Sequence, residues 1–240
     1  MQADIKNFFC SIDHNILFKL IQKHVKNPQI LWLSKTIINF DCAQNPVKKG
    51  QLSLFSQVPP HKSLFNAPTG RGLPIGNLTS QFFANLYLNE LDQFVKNVLN
   101  CRYYIRYVDD FIILDENKER LLEIKKEIEK FLQQKLSLEL HPDKWKIESV
   151  CKGMDFLGYV VKPTHILVRK RVIKNLKKKL FQFQQDQTDL NYILACVNSY
   201  FAHFQHADSY KLRKHLWQKY FGVLKKFLRP ANDFKFFKLK

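Results

Sequence analysis

Residues 102–114, RYYIRYVDDFIIL, set two adjacent carboxylates, Asp109 and Asp110, between two runs of β-branched and aromatic residues. Runs of that kind read as two strands joined by a tight turn. Neighbouring carboxylates in a hairpin repel one another, and a divalent cation would relieve the repulsion. Magnesium prefers carboxylate oxygens, waters and substrate phosphates. Two such ions, roughly 3.5–4 Å apart, stabilise both the attacking and the leaving oxygen in phosphoryl transfer. Taken alone, the pair also suits a solvated acidic turn.

The rest of the chain can be ordered around this hairpin. Residues 2–9 read as a short strand and turn carrying Asp4, which on its own could equally face solvent. Ile12, Ile16, Leu17, Leu20, Ile21 and Val25 mark one helical face, with Asp13 as its cap, and residues 28–40 predict a second helix. A connection containing Pro46, Gly50, Pro59, Pro60, Pro68 and Gly70 reads as loop with at most short strands. Helical spacing returns over 79–99, where Asn77, Thr79 or Ser80 can cap, and over 118–135; short strands are predicted at 138–140 and 156–161. Beyond Pro163 come Lys-rich helices over 171–184, 190–204 and 210–227. The fold class is α+β, with a helical module appended.

Charge narrows the partners. With 39 Lys+Arg against 21 Asp+Glu, the formal charge of +18 favours a polyanion, either nucleic acid or an anionic membrane surface. No apolar run approaches the roughly 20 residues that span a bilayer, and the first residues lack a signal core, so a cytoplasmic protein with no membrane partner is expected. The cysteines are widely spaced and never form Cys-x-x-Cys, which argues against structural zinc and a disulfide framework.

Three segments then point to one family. Asp4-Ile5-Lys6-Asn7-Phe8-Phe9, Gly72-Leu73-Pro74-Ile75-Gly76-Asn77-Leu78-Thr79-Ser80-Gln81 and Tyr107-Val108-Asp109-Asp110 resemble, in order and spacing, the polymerase motifs of reverse transcriptases. Leu138-x-Leu140-His141-Pro142-Asp143-Lys144 resembles the lysine-bearing motif after the catalytic hairpin. Asp155-Phe156-Leu157-Gly158-Tyr159 resembles the hairpin that holds the primer end. The resemblance covers residues 2 to about 161. It implies a right-hand polymerase palm, an antiparallel sheet with helices on one face, with partial fingers over 1–162 and a helical thumb over 163–240.

The resemblance also implies an RNA-directed DNA polymerase that joins dNTPs to the 3′-hydroxyl of a DNA or RNA primer on an RNA template. Asp4, Asp109 and Asp110 would be catalytic, and together with Ile5 would hold two Mg2+ ions, Mn2+ being the alternative. Phe9, Ile75, Gly76 and Lys144 would face the nucleotide. Ser80, Gln81, Tyr107, Leu157, Gly158, Tyr159, Arg169 and Arg171 would meet template or primer, and a small basic accessory protein is a further candidate partner. Plainer roles stay open on the residues alone: Phe9 as core, Gly76 as a helix-entry turn, Lys144 as a solvated lysine beside Lys146 and Lys152. The cluster Arg169, Lys170, Arg171, Lys174, Lys177, Lys178 and Lys179 could likewise be a solvated helix face rather than a phosphate-binding one. If Phe8 and Phe9 lie on a strand, one should be buried and the other should line the site, where its ring would exclude a ribose 2′-hydroxyl.

The family usually carries Gln before the motif glycine and Ser-Pro at its end, where this chain has Ile75 and Ser80-Gln81. Ile-Gly-x-x-x-Ser-Gln resembles the reverse transcriptases of diversity-generating retroelements, which copy a template RNA with errors concentrated at adenines; the stretch 199–216 resembles their thumb. Group II intron and retron enzymes, and a non-catalytic nucleic-acid-binding remnant, are the alternatives. Because Asp4 is the fourth residue, a fingers region before it is expected to be missing, which predicts weak activity for this chain alone.

Overall fold

A computed structural model describes residues 1–40, 63–185 and 189–240. The predicted loop positions Pro46, Gly50, Pro59 and Pro60 lie outside the described residues. The chain divides into two compact units, 1–147 and 148–240.

In the N-terminal unit, β1 (Gln2–Asp4), β3 (Asp110–Leu114) and β2 (Tyr103–Tyr107) form an antiparallel sheet in the order β1-β3-β2. Pleating sends alternate residues to opposite faces. Ala3 and its cross-strand partner Phe111, with Ile113, belong to the apolar core, whereas Asp4 and its partner Asp110 belong to the other face. Helices α2 (His14–His24), α4 (Leu78–Gln93) and α5 (Lys118–Leu136) contribute Leu17, Leu20, Ile21, Tyr87, Leu88, Leu91, Ile124, Ile128 and Leu132 to that same core. The unit is thus α+β, as expected, with a small antiparallel sheet and helices sharing one core.

Local chemistry explains the element ends. Asp13 accepts hydrogen bonds from the Asn15 and Ile16 amides at 2.9 and 3.1 Å, satisfying two of the donors that open α2. Asn117 does the same for α5, which ends at Ser137 in the left-handed region. Asn77 opens α4 without a side-chain cap bond. The fully buried Tyr87 hydroxyl donates to the Leu136 carbonyl at 2.6 Å, tying α4 to the end of α5.

Some expectations are corrected. The strand at the start stops at Asp4, and Phe8–Ser11 is a helical turn, α1, so Phe8 and Phe9 are not alternating strand residues. Helix α3 covers Pro28–Asn39. The 79–99 helix changes to a π-helical turn at Phe94–Val98. Residues 138–140 are not a strand; they supply only a bridge from Leu140 to Ile5.

In the C-terminal unit, β4 (Met154–Phe156), β5 (Tyr159–Val161) and β6 (Ile166–Val168) form one antiparallel sheet. The β5–β6 pairing spans the expected 162/163 boundary, and both strands lie within the compact unit 148–240. Helices α6 (Lys170–Gln185), α7 (Leu190–Phe204) and α8 (Tyr210–Tyr220) follow. The last predicted helix is shorter than expected, and a hairpin of β7 (Leu228–Ala231) and β8 (Phe236–Leu239), absent from the sequence reading, closes the chain. Leu176, Leu180, Val197, Phe201, Phe204, Phe221 and Phe237 form this unit's core. Each such side chain contributes about 1.5–3 kcal/mol by leaving water. No helix of the described residues is long and apolar enough to cross a membrane.

Candidate active site

Strand register builds the acidic cluster. Pairing of β1 with β3 sets Asp4 opposite Asp110, and the turn between β2 and β3 carries Asp109. The Ile5 amide donates to the Asp109 carbonyl at 3.2 Å, which fixes the turn against the end of β1. Asp4 is 8% exposed. Burial first, then the nearby charges of Asp4 and Asp110, pushes the Asp109 carboxyl from 3.8 up to about 6, with Lys144 opposing the shift.

The turn itself is held in an unfavourable shape. Val108 has φ 54, a region that a β-branched residue rarely enters. Its carbonyl accepts a hydrogen bond from Arg106 Nη1 at 3.0 Å. Arg106 in turn makes a two-point ion pair with Asp92 of α4, whose Oδ1 also accepts from the Tyr104 hydroxyl at 2.7 Å. This support was not legible from the sequence. An arginine between tyrosines on a strand is the available signal, but its partner lies on another helix.

Lys144 reaches the cluster through a second register. Gln2 and Lys146 exchange backbone hydrogen bonds, both 2.9 Å, while the His141 amide donates to the Asp4 carbonyl at 2.8 Å, so the turn at 142–144 between these two contacts sets Lys144 beside Asp4. The Lys144 ammonium forms an ion pair with Asp4 Oδ2, and this contact holds its own pKa above the usual value. Lys144 is therefore not simply a solvated lysine. Among the described residues no group of three or more His, Cys, Asp or Glu side chains is arranged to hold a metal ion. The positive charge beside Asp4 is the Lys144 ammonium. The donor set of Asp4, Asp109 and Asp110 nevertheless suits a hard cation, since the charges of Asp4 and Asp110 add to the burial that raises the proton affinity of Asp109.

The glycine-bearing loop lies alongside α1. Leu73 N donates to the Phe9 carbonyl and Gly72 N to the Ile12 carbonyl, both at 2.8 Å. Gly72 has φ +95, a conformation that favours glycine, and a Cβ there would also displace the tip of Leu64, 2.6 Å away. Phe8 is buried and Phe9 is partly buried against the same core. Ile75 is 74% exposed, and a Cβ on Gly76 would meet nothing within 4 Å. Ser80 is buried and lines a cavity of about 350 Å³ with Thr36, Phe40, Leu73 and Phe83; Gln81 and Tyr107 are exposed.

The other predicted contacts belong to the C-terminal unit. Leu157 and Gly158 form the β4–β5 turn with φ 51 and 86. The Tyr159 ring stacks on His203 at 4.3 Å, and its hydroxyl donates to the His203 carbonyl at 2.8 Å. Arg169 pairs with Asp155 at 3.3 Å. Lys170, Arg171, Lys174 and Lys178 are exposed on α6. Lys177 instead lies 2.9 Å from the Tyr220 hydroxyl and Lys179 near the Tyr200 ring, so part of the basic cluster is engaged within its own unit.

Relatives bear on this geometry. A family model described as reverse transcriptase (RNA-dependent DNA polymerase) matches residues 1–161. Protein YkfC of Escherichia coli strain K12 is 26% identical over 210 residues, covering 71% of this chain and 47% of that protein. The group II intron-encoded protein LtrA of Lactococcus lactis subsp. cremoris is 26% identical over 242 residues, covering 75% of this chain and 37% of that protein. The chain thus spans less than half the length of these relatives.

Proposed function

The chain belongs to the reverse transcriptase (RNA-dependent DNA polymerase) family, and on that premise we propose that it carries the palm and thumb of an enzyme extending a primer with dNTPs on an RNA template. The observation that carries this reading is the convergence of Asp4, Asp109 and Asp110 through the β1–β3 register. These carboxylates, with Ile5 beside them, would hold the divalent ions; Mg2+, or Mn2+ in its place, supplies charge that favours loss of the primer hydroxyl proton and neutralises the departing pyrophosphate. The chain's own residues do the positioning. Arg106 and Asp92 hold the Val108 turn, and with it Asp109, in place. Phe9 and the Gly72–Gly76 loop, joined by backbone hydrogen bonds, shape the nucleotide site. Lys144 is close enough to Asp4 to follow the triphosphate's charge. Leu157, Gly158 and Tyr159 hold the primer end, and Ser80, Gln81, Tyr107, Arg169 and Arg171 support template and primer. A small basic accessory protein would add to this surface.

Within the family, the motif Ile75-Gly76-x-x-x-Ser80-Gln81 favours a diversity-generating retroelement. Ile75 removes a polar contact that glutamine would offer beside the nascent pair, which loosens geometric selection. The likeness to LtrA, described as a group II intron-encoded protein, favours the second reading. Replacing Ile75 with Gln and counting misincorporation opposite template adenine separates them. Fewer errors support the retroelement reading, and unchanged fidelity supports the intron-type reading.

A further inference from the structure

The closing hairpin has two unlike faces. On one, Leu228 and Phe237 are buried in the core of the C-terminal unit. Asn198 of α7 fastens this ribbon: its Oδ1 accepts from the Phe237 amide at 2.7 Å and its Nδ2 donates to the Phe237 carbonyl at 3.0 Å. The buried Arg213 donates to the Asp233 carbonyl at 3.1 Å, fixing the turn, where Asn232, Asp233 and Phe234 all have positive φ. The ribbon is therefore anchored at its strand and at its tip.

The other face is cationic by register. Arg229 and Lys238 are directly opposite one another, and both are exposed. Like charges at a cross-strand pair oppose strand pairing. Among the described residues neither has an ion-pair partner, and the Lys238 ammonium lies 5.6 Å from the centre of the Phe236 ring on the same face. Residues 222–240 hold six Lys and Arg and one acidic residue, Asp233. A rigid ribbon with two opposed cations beside an aromatic ring suits a polyanion that presents regularly spaced charges and flat bases.

We propose that this outer face, centred on Arg229 and Lys238, binds the phosphodiester backbone of a nucleic acid, as a contact separate from the acidic cluster and from the basic face of α6. The proposal rests on the reading of the chain as a nucleic-acid polymerase. Nucleic acid is favoured over a membrane because, within the two strands, Phe236 is the one long apolar side chain on this face and is itself partly buried.

The test measures binding of an RNA–DNA hybrid and of single-stranded RNA across a salt series, for the unaltered chain, for R229Q/K238Q, and for K126Q/K130Q on α5 as a charge-matched control. The ribbon variant is expected to bind at least about tenfold more weakly, with a salt slope smaller by about 1.8 on the hybrid or about 1.4 on the single strand. Its melting temperature should hold or rise, because a repulsive pair is removed. Equal losses in both variants would reduce the effect to net charge and overturn the proposal. So would an unchanged slope, or binding to phosphatidylserine vesicles without binding to either nucleic acid. Failure of primer extension alone would sink the polymerase reading while leaving the ribbon's binding result intact.

Discussion

Asp4 and Asp110 face each other across the antiparallel pairing of β1 and β3 although 105 positions of sequence separate them. One register therefore brings two carboxylates to the face of the sheet opposite Ala3 and Phe111, and the β2–β3 turn adds Asp109.

The charge on Asp109 is costly to the folded chain without a cation. Its carboxyl holds a proton up to about 6 when folded, against 3.8 as the ordinary value. Between those values the unfolded chain binds fewer protons than the folded one, so stability falls as pH rises through the window and the full cost stands above it. Asp109→Asn should raise stability at pH 7 in chelator by about 1–2 kcal/mol, less than the roughly 3 kcal/mol of the full shift because the turn is partly hydrated. Urea denaturation from pH 4 to 7 reads this; an equal pH slope in the variant contradicts it.

Lys144 supplies the only cation seen beside Asp4 among the described residues. A divalent ion must compete with that ammonium. In Lys144→Met, Mn2+ should bind about fivefold or more tightly, since a unit charge a few ångströms away is worth about 1 kcal/mol even in a water-like dielectric. Titration calorimetry measures it, and weaker binding would show that Lys144 assists the ion instead.

At Gly158 a Cβ would lie 3.0 Å from His203 Cε1 on a backbone with φ +86. Gly158→Ala should cost about 1–3 kcal/mol in thermal denaturation. Gly76→Ala, at φ +107 with open space around it, isolates the backbone part and should cost less. Equal losses would mean that His203 yields freely.

Phe9 is held by the same contacts that bring in the Gly72 loop. Phe9→Ala should raise incorporation of ribonucleotides relative to deoxynucleotides by roughly tenfold to a hundredfold. Competition assays with paired substrates check this, and an unchanged ratio assigns Phe9 to the core alone.

Local chemistry explains which features could be read in advance. The Asp13 cap, the stripes of α2 and α5 and the β2–β3 hairpin depend on residues near one another in sequence, and all were legible. The turn at Phe8–Ser11 was not, because two phenylalanines after a strand suit either conformation. The β7–β8 ribbon escaped notice because its pairing is secured by Asn198 and Arg213, distant positions without a local signal. Lys144 could not be told from Lys146 or Lys152 by type; only the turn after His141, which sets it against Asp4, distinguishes it. For the same reason Arg106 and Asp92 left no trace as a pair.

Nucleotidyl transfer is assigned here to the acidic cluster of Asp4, Asp109 and Asp110. It is tested most directly by Mg2+-dependent extension of a DNA primer on an RNA template, measured on the longest polypeptide that contains this chain, with Asp109→Asn alongside. We predict extension by the unaltered protein and a loss of at least about a hundredfold in the variant, with template–primer binding preserved. Extension that survives in Asp109→Asn, or binding without extension in the unaltered protein, would contradict the assignment.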